Sequence, residues 1–246
     1  MLTVLDLFSG IGGFSLGLER TGGFKTVAFC EIDPFCRKVL TKHWPEVLIH
    51  EDVTTLRGED VGTVDVICGG FPCQDVSVAG SRAGITGARS GLWVEFARLI
   101  CEIRPKYVLV ENVPGLLSSG LQQVLGDLAS LGFDAEWQCI SAAAIGAPHE
   151  RDRVWIIAYA SGERMGIFAG SPASQNLQRH VAEIARGRFA RTPWAAAVSF
   201  AGNPTKLVQD AECWSDVDGV SKELDSFGNS VVPQVVEVIG HAILSD

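Results

Sequence analysis

Val4-Leu5-Asp6-Leu7-Phe8-Ser9-Gly10-Ile11-Gly12-Gly13-Phe14 runs from an apolar stretch into a glycine-rich turn and out into a helical pattern reaching Arg20. Strand, glycine loop and helix in that order open an α/β sheet, in which ligands bind beyond the carboxyl ends of the strands. Further strand-like runs follow at Thr26–Glu31, Val64–Gly69, Tyr107–Glu111 and Val154–Tyr159. Helical patterns lie between them at Pro34–His43, Leu92–Ile103 and Gln122–Leu131. The alternation predicts a βαβ architecture with a parallel sheet. Pro34 suits a first helical turn, where its missing N–H costs nothing.

From Gly162 to about Ser226 the periodicity gives way to Gly, Ser, Pro and Arg, and a helical pattern returns over Val231–Leu244. We therefore expect three parts: a main domain over 1–160, a small irregular region over 161–225, and a segment over 226–246 that returns to the main domain. At 246 residues and 47% hydrophobic the chain can bury a sizeable core. Its start carries neither the basic residues nor the cleavage site of a signal peptide, and no apolar stretch approaches a membrane span. The expectation is a cytoplasmic protein with no membrane contact. The 7 cysteines form no Cys-x-x-Cys pair, so neither a zinc site nor a disulfide framework is indicated, and no metal is expected.

The net charge of -9 argues against gripping nucleic acid by bulk electrostatics. Distribution matters more. Arg164, Arg179, Arg186, Arg188, Arg191 and Lys206 face only Glu163 and Glu183 between Ser161 and Gln209, before the chain turns acidic over Asp210–Asp225. Such a basic stretch is either a solvated surface or a phosphate-tracking one.

The glycine loop lets backbone approach a ligand and presents helix N–H groups. Glu31 follows 21 residues after Gly10, where an acid can accept from a ribose diol, and Asp52 is placed to accept from an adenine amino group. A tight turn with two surface acids is the alternative. The third glycine of the dinucleotide fingerprint is replaced by Ser15, so an adenosine cofactor without a pyrophosphate fits better than a dinucleotide. Gly70-Phe71-Pro72-Cys73-Gln74 puts a cysteine past a strand end with its direction restricted by Pro72. Glu111 ends another apolar run, either as a capping acid or as a desolvated carboxyl able to share a proton. Arg151 and Arg153 point to one side of a strand, as a surface ion-pair group or as a clamp for a carbonyl oxygen or phosphate.

Together these motifs resemble the cytosine-5 DNA methyltransferase family, of the compact bacterial or phage type, over nearly the whole chain. Phe8 to Phe14 is similar to its cofactor loop, Gly70 to Gln74 to its nucleophile motif, Glu111-Asn112-Val113 to its acid motif, Arg151-Asp152-Arg153 to its paired arginines, and Gly228-Asn229-Ser230-Val231-Val232-Pro233 to its C-terminal motif. The resemblance implies a Rossmann-like S-adenosylmethionine-dependent methyltransferase sheet with helices on both faces and a small target-recognition region. It implies that Cys73 adds to C6 of a flipped-out cytosine, that Glu111 supports N3, and that C5 then takes the methyl group of S-adenosyl-L-methionine. Loss of the C5 proton and expulsion of Cys73 follow. Arg153 would hold the cytosine O2 while Arg151 supports the pocket.

By the same resemblance Phe8 stacks on adenine, Glu31 binds the ribose, Ile32 covers the other adenine face, and Asp52 with Val53 takes the amino end. Ser9, Gly10, Ile11, Gly12 and Gly13, with Pro72, Asn229, Ser230 and Val231, complete the cofactor site. Ser77, Arg82 and Arg89 belong to a loop that closes over DNA, or else to an ordinary flexible loop. The implied partners are double-stranded DNA and a cognate restriction endonuclease, for a monomer associated with the nucleoid. The family's RNA branch, acting on transfer RNA, and a catalytically inactive nucleic-acid-binding relative are the alternatives. The region over Gly162–Leu224 is short for target recognition, and His149 stands where the family has Gln.

Overall fold

Apolar residues at alternate positions of the first strand serve two cores at once, and this decides the layering. In the computed structural model, which describes residues 1–72, 91–145, 150–161 and 230–245, β1 spans Leu2–Leu7. Its Leu5 and Leu7 join one buried cluster and its Val4 the other, as the period of two requires. The chain continues through α1 (Gly13–Arg20), β2 (Phe24–Cys30), α2 (Pro34–His43), β3 (Leu48–His50) and β4 (Val66–Gly69). After these come α3 (Leu92–Ile103), β5 (Tyr107–Asn112), α4 (Leu116–Ser119), α5 (Leu121–Ser130), β6 (Phe133–Ser141), β7 (Asp152–Ala160) and α6 (Pro233–Leu244).

The described strands form one sheet of 7 in the order β3-β2-β1-β4-β5-β7-β6. Trp93, Phe96, Leu99 and Ile100 of α3 and Val124 and Leu128 of α5 cover one face. Phe14 and Leu18 of α1 and Val235, Val236 and Ile239 of α6 cover the other. Helices on both faces and a Rossmann-like order agree with the expected fold class.

The sheet is mixed, however, rather than wholly parallel. β7 pairs antiparallel with β5, and β6 antiparallel with β7. The reason is connection length: Ala142–Arg151 is too short to carry a crossover helix, so β6 and β7 can only join as a hairpin. β6 escapes the pattern search because Asp134, Gln138 and Cys139 are exposed along an edge strand. Val64 and Asp65 precede β4, because the Asp65 carboxylate accepts from Thr3 N–H and Oγ1 and ends the ladder there.

α6 returns to the first βα unit and closes the fold. Gly17 lets it come close: a Cβ there would stand 2.5 Å from Val236 Cβ. No helix among the described residues is long and apolar enough to cross a membrane. The expected region over 161–225 lies, apart from Ser161, outside the described residues.

Candidate active site

Strand order reverses between β1 and β4, and the carboxyl ends of β1 to β5 gather one side of a cavity of about 690 Å³. Because β7 runs the other way, its beginning lies at the same end, with Val154 opposite Asn112. The cavity is of the size that holds a cofactor and part of a substrate.

The first wall is the turn after β1. Phe8, Gly10 and Gly12 all take left-handed backbone, with φ of 52, 53 and 85. Glycine adopts this freely, whereas Phe8 is strained by about 1–3 kcal/mol and must be held by its surroundings. Its ring stacks on Phe96 at 6.3 Å between centroids. Ser9 Oγ donates to the Asp6 carbonyl at 2.6 Å, and Gly10 N–H donates to Glu31 Oε2 at 2.6 Å. Glu31 is thus both a cavity acid and the post to which the loop is tied.

The other Glu31 oxygen accepts from Asp33 N–H at 2.8 Å. Burial raises its pKa, against the pull of these two N–H groups. Asp33 caps α2 through Phe35 and Cys36 N–H, which fixes the chain direction after Ile32. Ile32 is 73% exposed at the cavity edge, an apolar face left open to a planar ligand. Asp52 Oδ1 accepts from Thr54 N–H and Oγ1, which lowers its pKa; among the described residues Oδ2 has no hydrogen bond. Val53 lines the cavity beside it. An apolar face, a ring held flat and two acids with acceptor capacity fit an adenosine group.

At the opposite wall Glu111 ends β5, 8% exposed, with Arg153 Nε 2.9 Å from its Oε1. Burial pushes its carboxyl above the ordinary range, while Arg153 and then Arg151 oppose the shift. Gly70 makes room, since a Cβ there would stand 3.0 Å from Glu111 Oε2. Arg151 donates to the Ser230 carbonyl at 2.9 Å, tying β7 to the entry of α6; its own pKa is lowered by burial first and by Arg153 second. A carboxyl in this setting can retain or share a proton, and the guanidiniums can hold a carbonyl oxygen.

Phe8, Ser9, Gly10, Glu31, Ile32, Asp52 and Val53 therefore share one cavity with Pro72, Glu111, Arg151, Arg153, Ser230 and Val231. Ile11, Gly12 and Gly13 do not line it. Gly12 precedes α1 against the Trp44 ring, and Gly13 packs on Val231, so both shape the turn from behind. Cys73, Ser77, Arg82, Arg89, His149 and Asn229 lie outside the described residues. No group of residues with the makings of a metal site occurs among those described.

Sequence reasoning missed Asn112. Its Nδ2 donates to the Phe71 carbonyl at 3.1 Å and its Oδ1 accepts from Val113 N–H, fastening the approach to Pro72 onto β5. The signal was present as the residue after Glu111 at a strand end, but a partner 41 positions away is invisible along the chain. Cys30 and Cys36, also unassigned, line the cavity, and burial raises the Cys30 thiol to about 12, which makes it inert packing rather than a nucleophile.

Comparison with known proteins gives the family. The chain is 32% identical over 225 residues to the Type II methyltransferase M2.BsuMI of Bacillus subtilis, covering 88% of this chain and 57% of that one. It is 40% identical over 185 residues to the Type II methyltransferase M.Eco47II of Escherichia coli, covering 71% and 43%. The chain thus spans about half the length of the curated relatives it matches. The structure of the Entamoeba histolytica methyltransferase EhMeth superposes with a TM-score of 0.65 over 100% of this chain and 98% of that one, at 15% identity, a likeness of fold. The family model for the C-5 cytosine-specific DNA methylase matches residues 2–193, the span that contributes β1 to β7 and every cavity wall except Ser230 and Val231. By that match, the chain belongs to the C-5 cytosine-specific DNA methylase family.

Proposed function

We propose that this chain transfers a methyl group to C5 of cytosine in double-stranded DNA, with S-adenosyl-L-methionine as donor. The observation that carries the reading is that Glu111 and Arg153 line the same cavity as Phe8, Glu31, Asp52 and Pro72. A base and an adenosine cofactor can meet there.

S-adenosyl-L-methionine, when bound, supplies an electrophilic sulfonium methyl. Phe8 and Ile32 would hold its adenine, Asp52 would accept from the amino group, and Glu31 would accept from the ribose hydroxyls. Ser230 and Val231, which line the cavity, would hold the methionine end. Cys73 adds as thiolate to C6 of the cytosine, which makes C5 nucleophilic. Glu111 holds a proton at or hydrogen-bonds N3, relieving the negative charge that develops on the ring. Arg153 orients O2 while remaining paired with Glu111. Methyl transfer leaves S-adenosylhomocysteine; the C5 proton then passes to water and the C5–C6 double bond reforms, expelling the Cys73 thiolate.

Ring carbon C6 is closed off inside a duplex, so the target cytosine must be flipped out at a cost of about a few kcal/mol. Ser77, Arg82 and Arg89 are proposed to close over it, and the 161–225 region to select the sequence. Incubation with labelled S-adenosylmethionine and either DNA or transfer RNA tests the reading. Label is expected in DNA cytosine; label in transfer RNA alone, or in neither, overturns it. DNA containing 5-fluorocytosine is expected to trap a covalent complex with the wild type and none with Cys73→Ser.

A further inference from the structure

α3 contributes to the cavity mainly from behind. Leu92 lines it, Phe96 backs Phe8, and Trp93 stacks on Phe96 at 5.5 Å between centroids and meets Phe71 at a tilt at 5.4 Å. Arg98 lies farther along the same helix and does not line the cavity, yet it bonds to the segment that forms one wall. Its Nη2 donates to the carbonyls of both Val53 and Leu56 at 2.9 Å. Nε pairs with Glu95 at 2.7 Å and Nη1 with Glu102 at 2.8 Å, one turn before and one turn after. Glu102 in turn accepts from Gly58 N–H at 2.8 Å.

The segment so held is the turn that presents Asp52 and Val53. Within it, Thr55 and Leu56 N–H donate to the Asp52 carbonyl, which leaves the Val53 and Leu56 carbonyls directed at α3. Only a planar fork with several donors can reach both carbonyls and both glutamates at once. Lysine, a point charge on a flexible stem, cannot do so. Val53 and Leu56 are 6% and 2% exposed, so their carbonyls have little access to replacement water.

We infer that Arg98 is a positioning residue for the adenosine end of the cofactor site, setting the Asp52–Leu56 turn from α3. This rests on the cofactor reading given above. Among the described residues the turn has no strand pairing beyond His50, so this clamp, together with the burial of Val53 and Leu56, holds its place against the cavity.

The test is calorimetric titration of the full chain with S-adenosylhomocysteine, an unreactive probe, for wild type, Arg98→Met and Arg98→Lys. Arg98→Met is expected to raise Kd about tenfold, the size of one weakened charged hydrogen bond, and Arg98→Lys by a smaller factor. The KM for S-adenosylmethionine rises in parallel while kcat at saturating cofactor stays within about twofold, which separates positioning from chemistry. In an Asp52→Ala background Arg98→Lys is expected to cost less than in the wild type. Unchanged Kd in a folded Arg98→Lys variant, or full additivity with Asp52→Ala, overturns the role of Arg98, even if Arg98→Met fails to fold. A wild type that does not bind S-adenosylhomocysteine instead sinks the cofactor reading itself.

Discussion

Arg153 Nε stands 2.9 Å from Glu111 Oε1 across two antiparallel strands, with the two residues on the same face and Arg153 two positions from the strand partner of Glu111. The pair sits where burial penalises the carboxylate and the guanidinium restores it, so the proton on Glu111 is balanced between two opposing effects. Removing Arg153 tips that balance. Arg153→Ala is expected to keep Glu111 protonated to higher pH, to move the alkaline limb of the kcat profile upward, and to lower kcat by about 10²–10⁴-fold. Methyl-transfer rates of both proteins across pH check it; an unmoved limb shows that Arg153 does not govern Glu111.

Asp6 is fully buried in β1, where its Oδ2 accepts from Ser15 N–H and Oγ and its Oδ1 has no partner among the described residues. Burial raises it from 3.8 to about 8, overcoming the Ser15 bonds. The native state therefore holds a proton that the unfolded chain releases, and stability falls as pH rises from about 4 through about 8. Asp6→Asn is expected to flatten that slope and to be the more stable protein above pH 8, by a margin on the order of a few kcal/mol. Urea denaturation at acid, neutral and alkaline pH decides the matter.

Glu31→Ala removes the acceptor for Gly10 and Asp33 N–H together with the proposed ribose contact. Its effect is therefore double: weaker S-adenosylhomocysteine binding by about 1–3 kcal/mol and a lower Tm. Asp52→Ala, whose carboxylate bonds only within its own turn among the described residues, is expected to weaken binding with little change in Tm. Equal Tm losses for the two variants contradict this division.

Gly17→Ala places a methyl group against Val236 and the Pro233 carbonyl at the α1–α6 contact. Overpacking of this kind costs about 1–3 kcal/mol. The loss is expected in denaturant unfolding of the whole chain, because α6 is buried along nearly its entire length. An unchanged midpoint means that α6 is not held by this approach.

Along the chain, the residues that end strands were legible. Phe8 to Gly13, Glu31, Asp52, Glu111 and the paired arginines stand beside apolar runs, and the fold carries strand ends to a common edge. Composition and motif order therefore determined the α/β class, the helices at Pro34–His43 and Leu92–Ile103, and the identity of most cavity residues. What the sequence could not decide was direction and cross-chain contact. The antiparallel β6–β7 hairpin, the strained φ of Phe8, and the bonds of Glu31 to Gly10, Asn112 to Phe71 and Arg98 to Val53 all join residues far apart or depend on backbone angles. Periodicity reports which face of an element is buried, but only packing in three dimensions decides which partner waits on that face. Local pattern thus named the chemical groups, and tertiary structure decided how Glu111 meets Arg153 and which residues hold the cavity walls in place.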